Sequence, residues 1–468
     1  MFKAIFTNGF GILFSRVLGF IRDLLTASIL GANIYSDIFF IAFKLPNLFR
    51  RIFAEGAFTQ VFLPSFTRST KKSLFSVHIF VIFLSIILLL SFLVTIFSSF
   101  ATKLLAVGFD EKTIAIAAPY VAINFYYLPL IFAVTFLSTL LQYKHYFSVT
   151  AFSTGLLNIT LIAALYLSKG SSQDVIVYYL SWGVIAGGLL QLFVHIWAVQ
   201  RVGFSKMLLG GFKYFRKKSL HVKHETRAFR KQFIPAVWGN SGAQFSSFLD
   251  TWLASFLVSG SISYLYYANR IFQLPLAIFA IATSIAIFPR ISRFIKNNDD
   301  HKALAYMQKA FWFLAYILTF STLFGYILSD EIIKIMFQRG AFTSEDAQTT
   351  SLVLKMYMIG LIPFGLTKLF SLWLYAKQQQ LKAAKITTFS LIADVIVSVA
   401  LVSSMGVAGL AIGTTVSGIV SFVLTLKVFG KKPLLSIIIS KHALFLLGGS
   451  VVLTLLLLLF KEFLHVHF

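Results

Sequence analysis

Residues 79–97 read IFVIFLSIILLLSFLVTIF, an unbroken run of apolar and hydroxyl side chains without a charge. As a helix rising about 1.5 Å per residue it covers roughly 28 Å, close to the ~30 Å hydrocarbon thickness of a bilayer. The runs 151–167 and 444–460 are likewise free of charge. Strands of a barrel would give shorter segments of alternating polarity. Of 468 residues 58% are hydrophobic and 12% charged, and mean hydropathy is +0.84. This composition lies outside the range of soluble domains, so the chain reads as an all-α polytopic membrane protein. Hydropathy places about thirteen spans, near 5–30, 34–66, 77–98, 114–142, 147–167, 174–199, 232–257, 261–290, 304–328, 348–376, 384–404, 406–427 and 440–460.

The formal charge of +25 follows the loops. One alternate set holds Arg68, Lys71, Lys72, Lys144, the run 201–231, Arg290, Arg293, Lys296, Lys302, Lys377, Lys382, Lys385, Lys427, Lys431, Lys432 and Lys441. The other set has few cations, largely offset by Asp110, Glu111, Asp174, Asp330, Glu331, Glu345 and Asp346. The positive-inside rule therefore places the first set and the N-terminus in the cytoplasm. With an odd number of spans the C-terminus lies outside. Topology thus accounts for the basicity, and no nucleic-acid partner is expected. Within 201–231, Phe204, Met207, Leu208 and Phe212 interleave with Lys206, Lys213 and Arg216. That mixture suits a surface helix on anionic membrane lipids. The first span is long and carries arginines, so it is expected to be a retained helix, not a cleaved signal peptide. The absence of cysteine excludes disulfides, thiolate metal sites and a cysteine nucleophile.

Two halves repeat one design. Asp37, Lys44, Leu45, Pro46 and Pro64 are echoed by Asn269, Gln273, Leu274, Pro275 and Pro289. Leu128-Pro129 before Tyr143-Lys144 is echoed by Ile362-Pro363 before Tyr375-Ala376-Lys377. Six spans separate each pair, an even number, so parallel repeats with a site between them are predicted. The resulting domains are a six-helix lobe at 1–200, a basic cytoplasmic loop with an amphipathic segment at 201–231, a second six-helix lobe at 232–430 and one extra transmembrane segment within 431–468. Pro46, Pro129, Pro275 and Pro363 interrupt helices, either as bends during transport or as static kinks.

Charges inside the spans direct the functional reading. Arg16, Arg22, Asp23, Asp37, Lys44, Arg50, Arg51 and Glu55 all fall within the first two predicted spans or between them and the cytoplasm. Placing such groups near the bilayer centre costs several kcal/mol, so they face a watery cavity and mark a substrate path. Clustered arginines point to an anionic cargo, because a guanidinium meets paired phosphate oxygens with a planar two-donor fork. Arg16 and Arg22 lie about 120° apart in projection and about 9 Å apart along a helix, so they cannot share one narrow stripe. One is expected to bind the anionic cargo while the other pairs with Asp23 or Asp37. Arg51 and Lys44 suit snorkelling to the interface, and Arg50 with Glu55 suits an inner gate.

The stretches FSRVLGFIRD (14–23), FKLPNLFRRIFAEGAF (43–58), YYANR (266–270) and FQRGAFT (337–343) closely resemble the MurJ (MviN) family of lipid II flippases. The resemblance implies the fold of the multidrug/oligosaccharidyl-lipid/polysaccharide exporter superfamily, with two pseudo-symmetric six-helix lobes around a central cationic cavity. It implies transport in peptidoglycan and cell-wall biosynthesis, which maintains cell shape, at the bacterial inner membrane. The implied cargo is lipid II, undecaprenyl-diphosphate carrying a disaccharide-pentapeptide, moved by alternating access from the cytoplasmic to the outer leaflet. The family's required arginines map onto Arg16, Arg22, Arg50 and Arg270, and its cavity aspartate onto Asp37. Where members often carry Asp, this chain has Asn269; they typically have fourteen spans, whereas only one is found here after residue 430. A monomer is expected.

In the second half, Asp250, Ser390, Asp394, Thr414 and Thr415 offer oxygen ligands. These either hold a small hard cation, as sodium in some members of the resembled family, or hydrogen-bond between helices. Lys355 and Lys368 are candidate charge partners there. No other cofactor is expected, since neither GxxxxGK[ST] nor HExxH occurs. A multidrug or polysaccharide-lipid exporter of the same superfamily is the alternative, but cationic drugs would favour a carboxylate-rich cavity. An enzyme acting on undecaprenyl-diphosphate lipids would need a metal or proton-transfer constellation that Asp23, Asp37 and Glu55 do not form.

Overall fold

The computed structural model describes residues 2–50, 57–218 and 222–467. All regular structure among them is helical, and the chain divides into two compact units, Met1–Gly260 and Ser261–Phe468. The first unit comprises α1 (Phe2–Leu30), α2 (Ile34–Phe49), α3 (Thr59–Arg68), α4 (Lys72–Ile96), α5 (Ser98–Leu105), α6 (Glu111–Phe125), α7 (Tyr127–Tyr143), α8 (Ser148–Leu167), α9 (Gln173–Arg201), α10 (Phe204–Lys218) and α11 (Lys223–Ala254). The second comprises α12 (Ser261–Pro275), α13 (Ala282–Lys296), α14 (Asp300–Ile327), α15 (Ser329–Phe337), α16 (Ser344–Ile359), α17 (Leu361–Ala376), α18 (Gln380–Met405), α19 (Val407–Phe429), α20 (Lys431–Ile438) and α21 (His442–His467). The units divide after α11, not before it. α11 packs on α3 and α4 through Phe229 and Phe233, which join Phe58, Phe62, Phe75 and Phe136 in a stacked and edge-to-face aromatic core.

Ten helical stretches among the described residues are long and apolar enough to cross a membrane. The predicted spans 5–30, 34–66 and 232–257 fall outside that set and coincide with α1, α2 with α3, and α11. Two of these carry the charges that define the candidate site.

Proline sets the internal breaks in the same way in both units. Its missing N–H leaves the carbonyl four residues earlier without a helical partner. α6 ends at Phe125, four residues before Pro129, and α16 ends at Ile359, four before Pro363. After Leu45-Pro46 the backbone takes a π-helical turn at Arg50, and after Leu274-Pro275 it does so over Leu276–Ile281. Such wide turns recur at functional sites, because they rotate the following side chains relative to the preceding face.

Local capping fixes the helix starts. Asn33 Oδ1 accepts from the Tyr35 and Ser36 N–H groups, while Ser36 Oγ accepts from the Asn33 N–H, so two orphan donors are satisfied at once. Thr343 and Asp346 do the same for α16. α1 packs closely along α8: a β-carbon at Gly19 would come within 3.3 Å of the Asn158 amide. After residue 430, α20 has eight residues and spans only about 12 Å. It lies against α14, where Trp312 Nε1 donates to the Ile437 carbonyl at 3.1 Å, and only α21 is long enough to cross.

Candidate functional site

In the first unit the site is built on α1 and α2. Arg22 is buried, and its guanidinium donates from Nε and Nη2 to Asp23 Oδ1 at 3.1 and 2.5 Å and from Nη1 to Asn158 Oδ1 at 3.0 Å. Asn158 in turn donates to the Ser15 carbonyl at 3.0 Å, tying α8 to both ends of this stretch of α1. Arg16 stands on the same helix in a different environment. It is exposed, and among the described residues it has no hydrogen-bond or ion-pair partner. The two arginines are thus separated by chemistry as well as by helical phase: one holds helices together, the other offers five donors.

Asp37, near the start of α2, is buried, and its Oδ2 accepts from the Gly260 N–H at 2.7 Å. Gly260 has φ +91°, which places its N–H where an L side chain would strain the backbone. Asp37 also lines a small pocket of about 180 Å³ with Asp110, Thr113, Ser255 and Ser259. The Asp110 carboxyl is held below its ordinary range by hydrogen bonds from Thr113. Lys44, six residues before the π-helical break, donates from Nζ to Thr251 Oγ1 at 2.6 Å. Arg50 is half-buried at that break. Arg51 and Glu55 lie outside the described residues.

In the second unit Arg270 is half-buried, donates from Nη2 to the Tyr266 hydroxyl at 2.5 Å and stacks over the same ring at 4.8 Å. Asn269 accepts a hydrogen bond from Gln273 one turn further along α12.

The oxygen ligands predicted for a cation divide between the units, with Asp250 in the first and the others in the second. Asp394 is buried and accepts from Ser398 Oγ at 3.4 Å, beside Gly413 of α19. Ser390 donates to the Ile386 carbonyl at 2.8 Å, Thr414 to Leu410 at 3.3 Å and Thr415 to Met356 at 2.7 Å. No cluster of three His, Cys, Asp or Glu exists among the described residues. Lys355, a candidate partner for this region, instead pairs with Asp330 at 2.8 Å, and Lys368 is exposed on α17.

Asn158, Thr251 and Gly260 escape sequence reasoning. Asn158 is a lone amide in an apolar run, which was signal enough to mark a buried polar contact but not to name its partner. Thr251 and Gly260 carry no such mark.

Comparison with known proteins gives the context. The sequence profile of the family described as lipid II flippase MurJ matches residues 26–468. A probable lipid II flippase MurJ of Helicobacter pylori (strain ATCC 700392 / 26695) is 50% identical over 445 residues, covering 93% of this chain and 96% of that protein. One from Buchnera aphidicola subsp. Acyrthosiphon pisum is 33% identical over 91% of this chain and 83% of its own length. A solved lipid II flippase MurJ in an inward closed conformation superposes with a TM-score of 0.80 at 25% identity, covering 98% of each chain. An inward-facing multidrug resistance MATE family transporter of the MOP superfamily shares the fold, with a TM-score of 0.68 at 13% identity over 91% of this chain and 96% of that one.

Proposed function

We infer the function from one premise: this chain belongs to the lipid II flippase MurJ family, and it is a multi-pass inner-membrane transporter of lipid II, not an enzyme. The finer mechanism proposed here is alternating access. Two lobes related as parallel repeats would expose the cargo-binding arginines first to the cytoplasm and then outward. The basic loops put the N-terminus and that first opening on the cytoplasmic side.

Arg16 meets the diphosphate of the cargo, with the disaccharide-pentapeptide in the cavity and the prenyl tail left in the bilayer. The observation that carries this reading is the contrast on α1: Arg16 is exposed with no partner among the described residues, whereas Arg22 is buried against Asp23 and Asn158. Arg270, leaning on a neutral phenol, is the second anion contact, and Arg50 borders the path at the π-helical break. Asp37, bonded to Gly260, holds the outer side closed until the substrate is bound. All groups invoked belong to one chain, so a monomer suffices.

A sodium ion fits the oxygen set around Asp394: one buried carboxylate balances one positive charge, and hydroxyls that donate to carbonyls keep lone pairs for a cation. Asp394, Ser390, Thr414 and Thr415 of the second unit would hold it. Its gradient or the membrane potential, about 2.3 kcal/mol per charge per 100 mV, supplies the drive.

The test is lipid II translocation in vesicles reconstituted with the purified chain. Appearance of intact lipid II in the opposite leaflet, lost in Arg16→Ala, supports the reading. Transport that persists in Arg16→Ala, or release of phosphate from the cargo, overturns it.

A further inference from the structure

A crevice in the first unit lies apart from the charged residues of the candidate site. α4 and α9 both pack on α7, and between them opens a groove of about 590 Å³. Its floor is Leu130, Ala133 and Phe136 of α7, its walls are Leu84 and Leu88 of α4 facing Ile185 and Leu189 of α9, and one end is closed by Leu208 and Phe212 of α10. The lining is almost wholly apolar. From Val77 to Leu88 on α4, and from Ile185 to Ile196 on α9, the groove runs for about 16 Å at 1.5 Å per residue, half the ~30 Å hydrocarbon core. That is the depth of one leaflet. An apolar trough inside a bilayer takes hydrocarbon, and one of this length suits an acyl chain of one leaflet.

α10 supplies the chemistry at the closed end. It is seated on α4 by the Ser73 hydroxyl, which donates to the Met207 carbonyl at 2.5 Å, and by Gly211, whose missing side chain lets Ser73 and Val77 approach. With Leu208 and Phe212 turned to the groove, Lys206 and Lys213 project from the opposite, exposed side. At the neighbouring end of α9, Arg201 stacks over Trp197 at 4.0 Å, an exposed aromatic and cation pair of the kind that anchors at a membrane interface. On the orientation proposed above, these cations lie at the cytoplasmic headgroup level.

We propose that this groove and α10 form a site for one anionic phospholipid of the cytoplasmic leaflet, an acyl chain lying against Ala133 and the phosphate near Arg201, Lys206 and Lys213. The occupant is a resident lipid, distinct from the transported cargo. Charge complementarity selects its headgroup, since cations at the membrane surface attract anionic lipids. The groove suits an acyl chain of one leaflet by its length.

Native mass spectrometry of the purified full-length protein tests this, with phosphatidylglycerol and phosphatidylcholine of equal chain length titrated separately. One phosphatidylglycerol is expected to be retained at a concentration about tenfold lower than phosphatidylcholine. Lys206→Glu with Lys213→Glu, both exposed, should erase that tenfold preference while lipid of either kind still binds. Ala133→Phe, which fills the floor, should lose retention of both, and Leu189→Phe on the exposed wall repeats the test without touching the floor's packing. Equal retention of the two lipids by the unaltered protein, or retention unchanged in both groove-filling variants, overturns the proposal. Displacement of phosphatidylglycerol by an equal concentration of undecaprenyl phosphate also overturns it, by assigning the groove to the cargo's tail.

Discussion

The charged segments of the two units hold their arginines differently. On α1 of the first unit, Arg22 is sealed against a carboxylate and an amide, with side-chain exposures of 9% for Arg22 and 2% for Asp23. On α12 of the second, Arg270 rests half-buried on the hydroxyl and ring of Tyr266. A carboxylate within the same buried pair competes with an incoming anion, because charge-assisted hydrogen bonds are about twice as strong as neutral ones. Arg22 is therefore a strut, and the proposed contacts are Arg270 and Arg16, the latter exposed six residues before the strut on the same helix.

Breaking the strut gives the largest expected effect. Arg22→Ala leaves Asp23 buried beside an empty guanidinium site, so folding stability in detergent should fall by about 3–5 kcal/mol, and adding Asp23→Ala should restore most of it. Thermal unfolding of the two variants and the double variant measures this. An Arg22→Ala protein as stable as the parent would put Arg22 among the contacts instead.

Arg16→Ala, by contrast, should leave unfolding unchanged and lower lipid II transport on the order of 100-fold, the value of losing a two-donor charged contact. Arg270→Lys sharpens the distinction. It keeps the charge but loses the fork and the stacked plane, so transport should drop roughly tenfold with normal stability. A drop equal to that of Arg16→Ala would make geometry, not charge, the governing property of the second unit.

The smallest effect concerns the second unit's own carboxylate strut, far in sequence from Arg270. Asp330 bonds Lys355 at 2.8 Å and Lys461 at 3.2 Å, tying α15 to α16 and α21. Burial alone raises its pKa, but hydrogen bonds from Lys355 and Ser351, with the Lys355 charge, outweigh burial and hold it at about 2 against an ordinary 3.8. The folded state therefore prefers the ionised form. The resulting stability, about 1–2 kcal/mol, is present above pH ~4 and lost as pH falls towards 2. Asp330→Asn should flatten that part of the pH dependence of unfolding; an unchanged slope would remove Asp330 as its source.

Much of this architecture was legible in the sequence, for physical reasons that can be named. Charge-free runs such as 79–97 mark spans, because a bilayer tolerates little else. The breaks before Pro129 and Pro363 follow from one missing N–H each. The paired Leu-Pro sites were readable as a repeat, although the π-helical turns after Pro46 and Pro275 depend on how each helix packs and left no local signature. The arginines were readable as a set, whereas their division into strut and contact was not. That division depends on Asn158, 136 residues from Arg22 along the chain. Gly260 meets Asp37 across a still longer separation. The unit boundary at Gly260 likewise reflects the packing of Phe229 and Phe233 on α3 and α4, which a hydropathy profile does not weigh. Lys355 was expected near Asp394 from span position alone, and the nearer carboxylate, Asp330, takes it.

The central claim is that the guanidinium of Arg16 receives the cargo's diphosphate. Equilibrium binding of lipid II to the purified protein and to Arg16→Ala, with thermal unfolding measured on the same samples, tests it most directly. The account predicts binding at least tenfold weaker in the variant at unchanged stability. Equal affinity in the two proteins would contradict it.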